Sequence, residues 1–250
     1  MFVQSVFKKR SRFVARFSAV LIFIACAATV PGGAEEDGKS VKKILLVSSF
    51  TEVVKNGVFA KCIDEPLAGK SLTFIPAASA VEKFTFYVKA AKKAFEKMGI
   101  KVDVLDIINA SHEEVAATIG KNDLLYIAGG NTFFLLQELK KSGADKAVRE
   151  HIRKGKLYIG ESAGTIILAP DIEYAKDYDD PKKAPGLDGY DALKVLDFYP
   201  LPHYTEFPFK KGVEKIIAEN ESLGENRKVM YPFTNKQALL IIGDKVTLAE

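Results

Sequence analysis

The chain has 250 residues, 48% of them apolar and 27% charged, with a formal net charge of +4. Those values suit a soluble globular protein with one sizeable core. Five of the positive charges (Lys8, Lys9, Arg10, Arg12, Arg16) fall within the first 34 residues, where there is no acid. The remainder is close to neutral and offers no electrostatic footprint for nucleic acid.

Residues 1–40 read as an N-terminal leader and linker. A basic stretch precedes an apolar run from Phe17 to Val30, followed by "PGGAEEDGKS". This is the order of a secretory signal, with Gly32 and Ala34 suited to a cut before Glu35. The run is shorter than the roughly 18 apolar residues of a membrane span. Export or membrane anchoring is therefore expected, with acylation at Cys26 or an uncleaved anchor as variants and a cytoplasmic location as the alternative. Membrane contact is expected only through this segment. The other cysteine, Cys62, lies in an amphipathic stretch and reads as a buried structural thiol.

From residue 41 to 250 one domain is expected. Short apolar runs at 43–49, 71–77, 100–107, 123–130 and 157–160 read as strands. They alternate with helical spacing over 53–67, over 80–99 up to Gly99, after Ser111, and over 132–156 in two pieces broken near Gly143. Such alternation predicts an α/β three-layer sandwich, a mostly parallel sheet with helices on both faces. Beyond Pro170 a long segment rich in Asp, Pro and Gly reads as irregular. A helix over 210–220 and a hairpin turning at Gly243-Asp244 close the chain.

The stretch "LYIGESAGTIILAP" (157–170) puts Gly-Glu-Ser-Ala-Gly between an apolar strand and an apolar helical run. That is the context of a nucleophile elbow, a turn that projects a serine from the carboxyl edge of a sheet. Ser162 is the candidate nucleophile, and the Ala163 N–H beside it could stabilise an oxyanion. A serine nucleophile needs a base, and the base an orienting partner. Of three histidines, His112 reads as solvated in the first turn of a helix, and His151 as a helix-surface residue among Arg149, Arg153 and Lys154. His203, between Pro202 and Tyr204 in a loop after the serine, is the candidate base. Asp171, Asp177, Asp179 and Asp180 all lie between serine and histidine, and spacing does not choose among them. Gly129-Gly130-Asn131 reads as a tight strand-to-helix turn with Asn131 as N-cap, and such a turn can also be an anion site. No His/Cys cluster has metal-ligand spacing, so neither metal nor cofactor is expected.

"IAGGNTFFLLQELK" (127–140), "KGKLYIGESAG" (154–164), "GYDAL" (189–193) and "LPH" (201–203) occur in an order that resembles the peptidase E family of serine peptidases, family S51. The likeness covers about 43–249. It implies a flavodoxin-like, class I glutamine-amidotransferase-like fold with the elbow after a central strand. It implies Ser162 as nucleophile, His203 as base, Asp177 as the acid that orients it, and Gly130 and Ala163 as oxyanion-hole donors, with Asn131 as a weaker substrate contact. Thr165 stands where the family often has Ala, a change expected to matter little.

The expected function is thus a serine exopeptidase for short peptides, in particular dipeptides with N-terminal aspartate, acting through an acyl-enzyme as a monomer or homodimer. An aspartate pocket needs a cation, for which Lys182 and Lys183 are the candidates. The alternatives are a cyanophycinase-like or other serine hydrolase, and a non-catalytic domain that keeps the fold. An α/β-hydrolase is disfavoured because only 15 residues separate Ser162 from Asp177.

Overall fold

The computed structural model describes residues 40–250. The leader, with Cys26 and its cleavage or acylation, lies outside them. Among the described residues the main sheet has seven strands in the order β3-β2-β4-β5-β1-β8-β9. The strands are β1 (Lys43–Val47), β2 (Ser71–Ile75), β3 (Lys101–Val104), β4 (Leu124–Ile127), β5 (Leu157–Glu161), β8 (Ala238–Ile242) and β9 (Lys245–Ala249). The first five run parallel, and the terminal hairpin β8–β9 joins antiparallel to β1. Two further strands, β6 (Tyr199–Leu201) and β7 (Met230–Pro232), form a separate parallel pair.

The central strands read as unbroken apolar runs because both faces are covered. In β1, Ile44 and Leu46 point into one core, while Leu45 and Val47 point into the other. The first core is filled from α4 (His112–Lys121), α5 (Thr132–Ser142), α6 (Ala144–Arg153), α7 (Ala163–Ile166) and α8 (Lys210–Ser222). The second is filled from α1 (Phe50–Lys55), α2 (Val58–Cys62) and α3 (Phe86–Lys97). In that second core Phe50 stacks on Phe95 at 4.2 Å and meets Tyr126 edge-on. The result is the expected flavodoxin-like three-layer α/β fold.

Several local expectations shift. The helical stretch after β1 is two helices, because Gly57 adopts a left-handed φ of 80° between them. The expected helix at 80–99 begins only at Phe86; before it Ala77–Val81 form a 3-10 turn and Glu82 is extended. Breaks at Gly143 and Gly99 fall where glycine favours them, each with positive φ. Cys62 is buried, and burial raises its thiol pKa. The segment after Pro170 is strapped down rather than loose: Asp179 accepts from Thr132, Asn131 Nδ2 donates to the Asp180 carbonyl, and Gly186 N–H donates to Gln137.

His151 departs most from expectation. It is buried, with Nδ1 at 3.4 Å from the Ile119 carbonyl and Nε2 at 3.2 Å from the Leu157 carbonyl, so it ties α6 to α4 and β5. The amphipathic face of α6 carries it inward against the strand. Burial lowers its pKa to about 4. Unfolded chains therefore bind more protons than the native state between about pH 4 and the ordinary imidazole value near 6.5. Stability from this group is complete above that window and declines as pH falls through it. Urea unfolding of wild type and His151→Gln should differ at pH 7 and converge toward pH 4; parallel curves would contradict the assignment.

Candidate active site

The carboxyl ends of β1, β4 and β5 meet where the chain order of the parallel strands reverses, the position at which open α/β sheets bind ligands. Ser162 follows β5 directly, with φ 50° and ψ −106°. A non-glycine residue there costs on the order of 1–3 kcal/mol and must be held by its surroundings. The holding is visible. The Ser162 N–H donates to the Val47 carbonyl at 2.9 Å. The Thr165 hydroxyl lies 2.7 Å from the Gly160 carbonyl and 3.1 Å from that of Val47, and Tyr158 Oη donates to the Gly164 carbonyl. Thr165 is thus a tie within the elbow, more than the neutral replacement expected.

Both glycines of the motif are required by close approach. A Cβ on Gly160 would lie 2.5 Å from the Gly164 carbonyl oxygen, and one on Gly164 would lie 2.3 Å from that of Ile127. Elbow, helix α7 and strand β4 pack backbone to backbone.

The Ser162 Oγ lies 2.8 Å from His203 Nε2. His203 is delivered by the β6–β7 pair. Its own N–H donates to Ser48 Oγ at 2.9 Å, and Ser48 Oγ donates to the Phe233 carbonyl. The imidazole stacks on Phe209 at 4.3 Å. Like Ser162, His203 has a positive φ, 61°, so both hydrogen-bonded side chains stand on strained backbone, a feature of functional sites.

The other ring nitrogen faces Asn235: Nδ1 lies 2.8 Å from Asn235 Oδ1. With Nδ1–H donating to that amide oxygen, Nε2 carries the lone pair that faces the Ser162 hydroxyl. Asn235 sits in the turn between β7 and β8, where its N–H donates to Glu206 Oε1 at 3.4 Å. The expectation that Asp177 orients His203 is therefore corrected. Asp177 ends a 3-10 turn, and its carboxylate pairs with Lys215 of α8 at 2.7 Å. The other three aspartates are engaged elsewhere: Asp171 with Tyr199 and Lys228, Asp179 with Thr132, and Asp180 with the Lys182 N–H. Neighbouring tyrosines still support the histidine loop, since Tyr174 and Tyr178 donate to the carbonyls of Pro200 and Pro202.

Of the two residues expected to supply oxyanion donors, Ala163 follows the serine directly and Gly130 lies in the turn that packs on it through Gly129. Gly130 has φ 133°, and a Cβ there would lie 2.2 Å from the Ala78 carbonyl oxygen, so only glycine fits. Gly129 packs on Ser162, its virtual Cβ 3.1 Å from the serine Cβ. Ala163 is the first residue of α7, whose N–H has no intrahelical acceptor. Asn131 is buried, and both ends of its amide are engaged: Oδ1 accepts from the Phe134 N–H as N-cap of α5, and Nδ2 reaches Asp180. Its side chain serves the turn.

Sequence reasoning missed Glu161, the residue between Gly160 and the serine. It is 4% exposed; Oε1 accepts from the Phe50 N–H at 2.8 Å, and Oε2 accepts from Tyr126 Oη. Burial raises its pKa, opposed by those donors and by the Gly129 N–H. The available signal was a charge at the end of an otherwise apolar strand. Among the described residues no His, Cys, Asp and Glu cluster suits a metal ion.

Burial lowers the His203 pKa to about 4, against a smaller upward effect of Asn235. The ring is then neutral at pH 7, as a base requires. An NMR titration of His203 should give a midpoint near 4, and Asn235→Asp should raise it by placing a carboxylate at Nδ1. A wild-type midpoint near 6.5 would contradict the burial argument.

Comparison with known proteins supplies the family. The model of peptidase family S51 matches residues 44–249. An uncharacterized peptidase of Listeria innocua is 50% identical over 207 residues, 82% of this chain and 95% of its own. One from Pasteurella multocida is 43% identical over 203 residues, 80% of this chain and 94% of its own. Peptidase E of Nostoc is 29% identical over 168 residues, 66% of each chain. The crystal structure of a candidate peptidase E protein from Listeria monocytogenes superposes with a TM-score of 0.77 at 47% identity, covering 84% of this chain and 98% of the other. With fold, elbow and homology in agreement, the chain belongs to peptidase family S51.

Proposed function

We propose that the protein is a serine peptidase for short peptides in which Ser162 is the nucleophile, His203 the general base and Asn235 the group that orients it. The observation that carries this reading is the hydrogen-bonded chain from Ser162 Oγ through His203 to Asn235 Oδ1, both links 2.8 Å, on an elbow at the sheet edge. His203 Nε2 takes the hydroxyl proton as Oγ attacks the peptide carbonyl. The developing oxyanion is met by the Gly130 and Ala163 N–H groups. His203 then returns the proton to the leaving amine. An acyl-Ser162 ester remains, and water activated by the same histidine hydrolyses it.

Asn235 differs from an aspartate in one physical respect: it fixes the tautomer through a dipole and adds no charge to stabilise the imidazolium. Together with burial this keeps His203 a weak base, deprotonated over a wide pH range. The acid limb of kcat/KM is expected near pH 4 and not between 6 and 7.

Dipeptides with N-terminal aspartate are the substrates that the family likeness favours. Of the two lysines considered for the aspartate carboxylate, Lys183 is the stronger candidate, because its Nζ donates to the Val81 carbonyl, at the end of the turn whose Ala78 abuts Gly130.

The test is hydrolysis of Asp-Leu, Glu-Leu, Ala-Leu and β-Asp-Arg by wild type and Ser162→Ala. Cleavage of Asp-Leu that falls at least ~10⁴-fold in Ser162→Ala is the expected result. Selective cleavage of β-Asp-Arg would move the reading to cyanophycinase-like chemistry. A folded protein that cleaves none would favour a non-catalytic role. Asn235→Ala should cost on the order of 10²–10⁴ in kcat, whereas Asp177→Asn should stay within about threefold of wild type, because its carboxylate serves an exposed ion pair. The reverse order would restore Asp177 as the orienting acid.

A further inference from the structure

The turn that carries one oxyanion donor is two consecutive glycines, Gly129 and Gly130. A peptide between glycines can rotate about its flanking Cα atoms with little steric resistance, since neither has a Cβ. Rotation by half a turn exchanges the two ends of the peptide. The Gly130 N–H and the Gly129 carbonyl point in opposite directions in a trans peptide. One orientation offers a donor to the substrate oxygen, whereas the other offers a carbonyl that repels it. The site therefore needs something that selects the first.

The hydrogen bonds around the turn identify the selector. The Gly129 N–H faces the buried Glu161 carboxylate. The Asn131 N–H donates to the Ala78 carbonyl at 2.9 Å. The Gly129 carbonyl accepts from Tyr87 Oη at 3.3 Å. Among the described residues the Gly130 N–H has no acceptor, and Gly130 is half-buried, within reach of a ligand. The Gly129 N–H, the Gly129 carbonyl and the Asn131 N–H are thus engaged, while the Gly130 N–H is left for the oxyanion of a substrate.

Tyr87 stands in the first turn of α3, partly buried. Burial raises its pKa, with Glu161, Glu82 and Asp179 adding to the rise. The phenol therefore remains a hydrogen-bond donor throughout the working range of a peptidase.

The geometry points to Tyr87 as a positioning residue that, with Glu161, holds the Gly129–Gly130 peptide turned so that its N–H serves the oxyanion hole. This rests on the serine peptidase reading above. Tyr87 acts through the turn and takes no part in proton transfer. Its hydroxyl matters when negative charge develops on the carbonyl oxygen, so its loss should lower kcat and leave substrate affinity in place.

The experiment compares wild type, Ser162→Ala and Tyr87→Phe on whichever dipeptide wild type cleaves, with a peptide aldehyde as a tetrahedral-adduct inhibitor. Serine-dependent turnover by wild type establishes the underlying reading; its absence would remove that reading without reference to Tyr87. With turnover established, Tyr87→Phe should lower kcat about 10- to 100-fold. KM should stay within twofold, aldehyde inhibition should weaken in parallel with kcat, and near-UV circular dichroism and Tm should remain those of wild type. Unchanged kcat, a rise in KM alone, or a kcat loss that comes with loss of native circular dichroism would each overturn the proposal. The conservative variant Glu161→Gln, which keeps an acceptor oxygen at the turn, should lose less activity than Glu161→Ala.

Discussion

Everything at the site depends on the backbone of one residue. Ser162 is held at φ 50° and ψ −106° between the end of β5 and the start of α7. That conformation is unfavourable for a residue with a side chain, and it persists because the neighbouring chain leaves no alternative. Gly160, Gly164 and Ile127 approach at distances no Cβ would permit. Thr165, Tyr158 and the Val47 carbonyl close the hydrogen bonds around the turn. Strain and close packing are the same fact seen from two sides: the sheet edge must be rigid to expose a serine this way. The cores on either face of β1, β4 and β5 provide that rigidity.

A second constraint brings the base to the nucleophile. The base comes from elsewhere in the chain, carried by the short pair β6–β7. In that pair Leu201 stands opposite Pro232, and the ladder continues when Phe233 N–H donates to the Leu201 carbonyl and Tyr204 N–H donates to that of Phe233. His203 and Asn235 follow these two paired strands, so their contact is a consequence of strand register. Ser48, just past β1, binds the segments after both strands through one hydroxyl and ties this small sheet to the main one. The histidine is therefore positioned against the serine by the same β1 edge that receives the Ser162 N–H.

The sequence carried most of the fold because its signals were local. Apolar runs marked the strands, and Gly99 and Gly143 marked helix ends where positive φ was needed, whereas the break at Gly57 went unread. The elbow was legible as well, since its glycines and flanking strand are contiguous. What could not be read depended on tertiary contact. His151 looks solvated among Arg149, Arg153 and Lys154, yet the rotation of α6 turns it onto β5. Asn235 lies in an ordinary-looking Thr-Asn-Lys turn, 32 residues from His203, and only strand pairing makes them neighbours. Asp177 matched a family position in sequence, but its carboxylate is drawn to Lys215 across the face of α8. Glu161 was hidden in the variable position of the elbow motif, although a carboxylate ending an apolar strand is rarely buried without a structural task.

The central claim is that the folded sheet edge makes Ser162 nucleophilic through His203. Mass-spectrometric mapping after treatment with a fluorophosphonate, which phosphorylates activated serines, tests it directly and needs no knowledge of the natural substrate. The account predicts one equivalent of label on Ser162 in wild type and a severe loss of labelling rate in His203→Ala. Label at another serine, or labelling of Ser162 at an unchanged rate without His203, would contradict it.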